Sequence, residues 1–558
     1  MPVAPPPPPP AGGPISGLAA LRAVRAGGQW RISAVAATGA GFSEADRARA
    51  EAAINHTLAR QEARLAPFPL VWRQELPITT YREGATAFAL GEEFAERLVQ
   101  DGAGAGTIQG LPVELSRFVV ETALERAGGQ VAGRWRRAVT LHAMALGATL
   151  AALACLVLAM GASLRWPRLR RLRQGQPRTV VALHAEAANR TKHVRKALAG
   201  RDPAETAVVF VGRLHVGAAQ ARTILAEAGW DHGFALAWDW RALIAGVPRG
   251  LGLARHAAPA IAAAGYRPTF KQLTAMVFRI LLGTGSAWRW RRAGQGAQAV
   301  VFGHVGRADT ILPEAAMQAM GAKTVHWMHG VSTGINFQGV SNLCVVQSLH
   351  DARWHDALCH YGRNAGFPLP EPQLRRWRGG GWAVLTNFTH PAYPPFARLG
   401  AAHELALIEI VGEMVARAGD DPARVMWKPH PVFYQADPAT RRLVSDALNR
   451  AGFRLWPNEQ TDFDAVLTCR TIITGPSGVA LDVLRRGRMP IMAEFAAMDP
   501  AHSLACFPLR GHDAHSLAQA VAQIDGTARE ADLLRRTWQV IGPCREPSLD
   551  EVLEVLAR

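Results

Sequence analysis

Three short stretches of the chain place chemically useful residue types where strand-like runs end. Lys428-Pro429-His430-Pro431 follows the run RVMW, so a cation and an imidazole stand at a strand's carboxyl end, fixed by two prolines. Lysine supplies a point charge for phosphate, and imidazole donates a hydrogen bond or a proton. Only five lysines occur among the 62 basic residues, so this one is not a product of the chain's arginine bias. An incidental surface turn is the alternative reading.

Thr474-Gly475-Pro476-Ser477-Gly478 lies between TIIT and VALDVLRRG. Small residues such as Gly475 and Gly478 at a strand-to-helix turn let backbone N–H groups approach phosphate oxygens. The Ser477 hydroxyl either adds a donor or caps the helix. Asp482, in the first turns of that helix, either reaches a ribose hydroxyl or is solvated. His329-Gly330 ends the run KTVHWM, where a histidine can act as general base on an acceptor hydroxyl. His326, inside the run, reads as structural. His304 (VVFGHVG) and His390 (NFTH) also follow strand-like runs and are secondary candidates. A histidine at any of these places is otherwise a structural residue.

The elements that must position these groups alternate from about residue 178 onward. Strand-like runs are expected at Thr179–Ala185, Ala207–Val211, Ala299–Gly303 and Lys323–Met328, with helices at Thr191–Leu198, Ala218–Ala228 and Pro313–Met320. A break rich in Gly, Pro and Arg at 362–381 follows. The pattern then resumes with strands at Trp382–Thr389, Arg424–Pro429, Thr471–Thr474 and Met489–Glu494, separated by helices at His403–Ala418, Pro438–Ala451 and Val479–Arg486. Repeated strand–helix units imply parallel sheets covered on both faces, with ligands at the carboxyl strand ends. The expected fold class is α/β, with two Rossmann-type lobes at 178–372 and 380–558.

Ahead of the lobes, residues 1–27 read as a disordered Pro-rich lead and 28–130 as a small α+β unit with no legible chemistry. In it, Trp30–Ala37 and Phe68–Arg73 are expected as strands, Ser43–Leu65 and Leu111–Arg126 as helices. Val139–Leu164 has no formal charge, and its length suffices to cross a ~30 Å hydrocarbon core. Arg134, Trp135, Arg136 and Arg137 precede it; Arg165, Trp166, Arg168, Arg170, Arg171 and Arg173 follow. Such flanks suit a transmembrane helix, with a buried helix of a soluble protein as the alternative, and the arginine excess after it places the C-terminal part in the cytoplasm. The expected localisation is the bacterial inner membrane, single-pass. Lys271–Arg292 reads either as a membrane-interface segment or as a buried helix followed by a basic loop.

The formal charge of +17 favours anionic partners, yet no zinc-finger, RNA-recognition or basic-zipper pattern is present, so no nucleic-acid partner is expected. Six dispersed cysteines without a CxxC pair speak against a disulfide framework or zinc site.

TVHWMHGVS, MWKPHP and ITGPSGVALDVLRRGRMPIM, in that order, resemble the GT-B enzymes of bacterial surface-polysaccharide assembly. Nearest in pattern are the capsular-polysaccharide (Kdo-type) transferases and the CDP-glycerol glycerophosphotransferases. The resemblance covers about 295–500 and leaves 1–175 untouched. It implies a donor-side second lobe and an acceptor-side first lobe, with His329 as base. His430 and the Ser477 turn would contact donor phosphates, with Lys428 beside them. It implies no metal and no cofactor. The phosphotransferases carry two serines where this chain has Ser477-Gly478; Asp482 matches an acidic residue in both patterns.

The expected activity is transfer of a sugar from a nucleotide-activated donor to a glycan or lipid-linked acceptor in surface-polysaccharide synthesis. Polyol-phosphate transfer of the CDP-glycerol type and a non-catalytic scaffold of an assembly complex are the rivals. Every version requires His329, His430 and Ser477 to meet around one gap.

Overall fold

The computed structural model describes residues 18–35, 44–163, 178–184, 201–202, 204–211, 238–303, 307–328, 339–357, 362–387, 401–457, 461–493, 503–524 and 528–558, with short pieces at 223, 225–226, 230 and 234–236. The expected helices at 191–198 and, for the most part, 218–228 lie outside them.

The N-terminal unit starts with a hairpin, β1 (Leu18–Ala26) and β2 (Gln29–Val35), turned by Gly27 and Gly28 at positive φ. Helices α1 (Glu44–Leu65), α2 (Leu70–Gln100) and α3 (Val113–Arg126), with β3 (Ala105–Pro112) and β4 (Gln130–Val131), complete it. Its sheet runs β3-β1-β2-β4. Two expectations change here. β1 lies within the stretch read as a Pro-rich lead, because LAALRAVRA carries little of the β-branched signal that marks strands. Phe68–Arg73 opens α2 with Pro69 as its N-cap, because a short apolar run fits either period.

Helix α4 (Arg134–Ser163) contains almost the whole uncharged stretch. It does not stand apart. Leu141, Ala148, Ala152, Leu156 and Ala159 form a buried stripe packed on helices of the first lobe.

The first lobe comprises β5 (Thr179–His184), β6 (Thr206–Val211), β7 (Phe234–Leu236), α5 (Trp240–Ala254), α6 (Ala257–Ala264), α7 (Phe270–Ala293), β8 (Ala299–Phe302), α8 (Ala308–Gln318), β9 (Lys323–Trp327), β10 (Leu343–Val345), α9 (Leu349–Ala357) and β11 (Asn364–Ala365). All pairings in its sheet are parallel, in the order β11-β10-β9-β8-β5-β6-β7. Counted from β5, that is the Rossmann order 3-2-1-4-5-6 with a seventh strand added. The segment read as either a membrane-interface element or a buried helix with a basic loop is α7, helical through Ala293. It is a core helix, burying Leu273, Met276, Val277, Ile280, Leu281 and Trp290.

The second lobe comprises β12 (Trp382–Leu385), α10 (Ala401–Ala418), β13 (Val425–Lys428), α11 (Pro438–Arg450), β14 (Arg454–Leu455), α12 (Phe463–Thr468), β15 (Thr471–Thr474), α13 (Val479–Arg485), β16 (Ile491–Ala493), β17 (Arg510–Gly511), α14 (Ala514–Val521) and α15 (Ala528–Ile541). Its parallel sheet runs β14-β13-β12-β15-β16-β17, again 3-2-1-4-5-6 counted from β12. After α15 the chain returns to the first lobe. Leu349 N donates to Gly542 O at 2.8 Å, Cys544 N to Gln347 O at 3.0 Å and Arg545 N to Phe367 O at 2.8 Å. The last helix, α16 (Leu549–Ala557), buries Leu549 and Val552 against Val181, Val208 and Phe210. The 380–558 half therefore ends on the first lobe.

The N-terminal unit docks on the same lobe. Trp72 Nε1 donates to Leu253 O at 2.8 Å, and Gln61 Nε2 to Ala264 O at 3.2 Å. Glu75, fully buried on α2, accepts from Arg279 Nε at 2.9 Å and from Ala308 N at 3.0 Å. Burial, the largest single influence, raises the pKa of such a carboxyl, but Arg279, Arg307 and the Ala308 N–H together outweigh it and hold Glu75 below its usual value.

Candidate functional site

The order of the second sheet reverses between β12 and β15, and in an open α/β sheet the crevice at that point takes the ligand. The Gly475–Gly478 turn lies there. Gly475 N donates to Leu385 O at 2.9 Å, and Asn387 Nδ2 donates to Pro476 O at 2.9 Å. A Cβ on Gly475 would sit 2.9 Å from Asn387 N, so the close approach of the two strand ends requires glycine. Gly478, not Ser477, occupies the N-cap of α13. The Ser477 hydroxyl, half-buried, is 3.5 Å from Val479 N, at the limit of a hydrogen bond.

The KPHP turn ends β13, on the other side of β12. Thr386 N donates to Lys428 O at 3.0 Å, which brings the ends of β12 and β13 together. Lys428 is 3% exposed; its ammonium donates to Pro429 O at 2.9 Å and lies 5.2 Å from the Tyr434 ring centroid. The charge thus lies beneath the turn. His430 is half-buried on the turn itself, and its carbonyl accepts from Phe433 N at 2.9 Å.

Behind both strand ends stands Glu404 of α10, which sequence reasoning missed. Its carboxyl accepts from the Thr386 hydroxyl and, at 2.9 Å, from Trp427 Nε1. Complete burial pushes its pKa up to about 7, against the two hydrogen bonds, which lower it. Glu314 of α8 is its counterpart in the first lobe. It accepts from the Ser341 hydroxyl and, at 3.2 Å, from Val340 N, and burial again pushes it up to about 7. Neither glutamate sits in a recognisable motif. The only signal in the sequence is an acidic residue on the apolar face of a helix.

A relay joins the lobes. Asp482 on α13 pairs with Arg485 at 3.0 Å. Arg485 Nη2 donates to Gln347 O at 2.8 Å and to Gln347 Oε1 at 2.9 Å, and Gln347 Nε2 donates to Met328 O at 2.8 Å. Met328 directly precedes His329. The helix that follows the Ser477 turn is thus tied to the strand end that carries the HG pair. His329, His304 and His390 themselves lie outside the described residues.

Among the described residues no group of three His, Cys, Asp or Glu side chains is placed to hold a metal. A surface cleft lined by Arg378, Gly380, Arg424, Arg454 and Cys469 opens at the amino ends of the same strands, away from the two turns.

No protein-family model and no curated sequence matches the chain. Solved structures with similar folds include the UDP-N-acetylglucosamine 2-epimerase from Rickettsia bellii, at 12% identity and TM-score 0.40, covering 68% of this chain and 96% of that one. A mutant of the Thermobaculum terrenum O-GlcNAc transferase matches at 14% identity and TM-score 0.36, over 92% of this chain and 98% of that one. MurG from Acinetobacter baumannii matches at 11% identity and TM-score 0.37, over 68% and 99%. With TM-scores below 0.5, these likenesses add no weight, and the fold rests on the strand orders. Two Rossmann-type lobes with parallel sheets, joined by a C-terminal helix that returns to the first, make this a GT-B-like α/β protein.

Proposed function

We propose that the chain is a glycosyltransferase that takes a sugar from a nucleotide-activated donor held on the second lobe. It passes the sugar to a glycan or lipid-linked acceptor in surface-polysaccharide synthesis, at the cytoplasmic face of the inner membrane. One observation carries this reading: the Gly475–Gly478 turn occupies the switch point of a 3-2-1-4-5-6 sheet, and α13 behind it is linked across the lobes, through Gln347, to the residue before His329.

In this reaction the acceptor O–H loses its proton to His329. Its oxygen forms a bond to the anomeric carbon, and the bond from that carbon to the donor phosphate breaks. The negative charge appears on the departing nucleotide. Backbone N–H groups of the Ser477 turn, the Ser477 hydroxyl and the His430 imidazole stabilise it there. Lys428 contributes a fixed positive charge from beneath the KPHP turn and holds the turn in place. Asp482 positions α13 through Arg485.

The test is thermal stabilisation of the full chain by UDP-, CDP- and CMP-linked donors, with donor turnover in parallel. One donor class should raise Tm, and His430→Ala should lower turnover by about 100-fold or more with the apo Tm unchanged. A chain that none of the three stabilises uses no UDP-, CDP- or CMP-linked donor, and if GDP-, dTDP- and ADP-linked donors also fail, the scaffold reading stands.

A further inference from the structure

We infer that α4 does not cross a bilayer but lies along the surface of an anionic one, with one face packed on the first lobe and the other in the lipid interface. Two observations carry this, and neither depends on the activity proposed above.

The first is connectivity. A single span at 134–163 would place the N-terminal unit and the first lobe on opposite sides of the membrane. Yet Trp72 bonds Leu253, Gln61 bonds Ala264, and Glu75 bonds both Arg279 and Ala308. These contacts put both units on one side. The chain between α4 and β5 cannot thread back through hydrocarbon, because it carries Arg165, Arg168, Arg170, Arg171 and Arg173. The buried stripe of α4 extends from Leu141 to Ala159, so its partners would share its depth. One of them, α5, carries exposed Arg241, Arg249 and Arg255 along or beside its length.

The second is the outer face of α4. Leu146, Leu150, Val157 and Leu158 are 64%, 59%, 62% and 75% exposed, and no charged residue interrupts the helix after Arg137. Phe270, half exposed, adjoins this helix: a Cβ on Gly147 would lie 3.3 Å from its ring. A soluble surface helix carries polar residues there. Exposed Arg134, Trp135 and Arg136 stand at one end, and the arginine-rich 165–173 segment follows the other. An apolar strip with cationic, Trp-bearing ends is complementary to a membrane surface with anionic headgroups.

The experiment uses the full chain with phosphatidylcholine vesicles, with and without phosphatidylglycerol. Flotation should be at least about tenfold stronger on the anionic vesicles and weaken with salt. Combined Leu146→Ser, Leu150→Ser and Leu158→Ser should lower it by about tenfold or more while Tm stays at the wild-type value. Native Cys155, exposed at mid-helix, should react with an impermeant maleimide in buffer and be shielded on vesicles. In a Cys155→Ser background, Ala138→Cys and Ala162→Cys should both label from the outside of sealed vesicles. Labelling of the two ends from opposite sides overturns the inference in favour of a span. Absent flotation overturns it too, and self-association lost in the triple-serine variant would then assign the face to a second copy of the chain.

Discussion

At the residue scale, the candidate site was legible where chemistry and local geometry coincide within a few positions. Lys428, His430 and Ser477 could be singled out because prolines or glycines flank them at strand ends, and the structure puts their turns at the ends of β13 and β15, the two strands that flank β12. Glu404 and Asn387 were not, since their roles depend on partners up to 89 positions away in sequence. Glu404 has a measurable signature. Its folded pKa of about 7 stands above the ordinary 4.5, so the folded chain keeps a proton that the unfolded chain releases. Its stabilising contribution is complete below pH 4.5 and is lost as the pH rises through about 7. Glu404→Gln should therefore flatten the fall in Tm between pH 5 and 8, by an amount equivalent to roughly 2–3 kcal/mol across that window. A slope unchanged from wild type would refute the assignment. His403 works in the other direction: burial lowers its pKa to about 4, so its contribution is lost on acidification. Gly475→Ala tests the close approach at the switch point. The added Cβ would meet backbone, which cannot swing aside, and should cost about 1–3 kcal/mol and weaken donor binding. Wild-type Tm and donor affinity in that variant would show that the turn has room to spare.

At the scale of elements, strands and helices of the two lobes were readable because each sheet is buried on both faces and each strand is a short apolar run. β15 and α13 fall where expected to within a residue. The two misreadings differ in cause: β1 carries little β-branched signal, and the start of α2 is a short apolar run that fits either period, where only packing decides. The relay Asp482–Arg485–Gln347–Met328 joins elements whose sequence gives no sign of their contact. Arg485→Ala and Gln347→Ala, combined in a double-mutant cycle on turnover, should show a coupling of roughly 0.5–3 kcal/mol. Additive effects would mean that α13 and the HG strand end act independently.

At the scale of the molecule, the Glu75–Arg279 pair fastens the N-terminal unit to the first lobe. Glu75→Ala leaves a largely buried guanidinium without its carboxylate and should cost about 2–4 kcal/mol, seen as a lower urea midpoint. Retention of the wild-type midpoint would mean that the two units do not depend on each other. Residue order alone already decided that there are two α/β lobes, where the KPHP and GPSG turns fall and that one helix is uncharged after Arg137. Each of these is a property of period, length or neighbouring residues. Which strands became neighbours, which turn reached the switch point and which face of α4 was covered follow from contacts between residues tens to hundreds of positions apart. Those contacts exist only once the chain has folded, so the apolar helix that reads locally as a span also packs one face on a lobe, which its own residues do not announce.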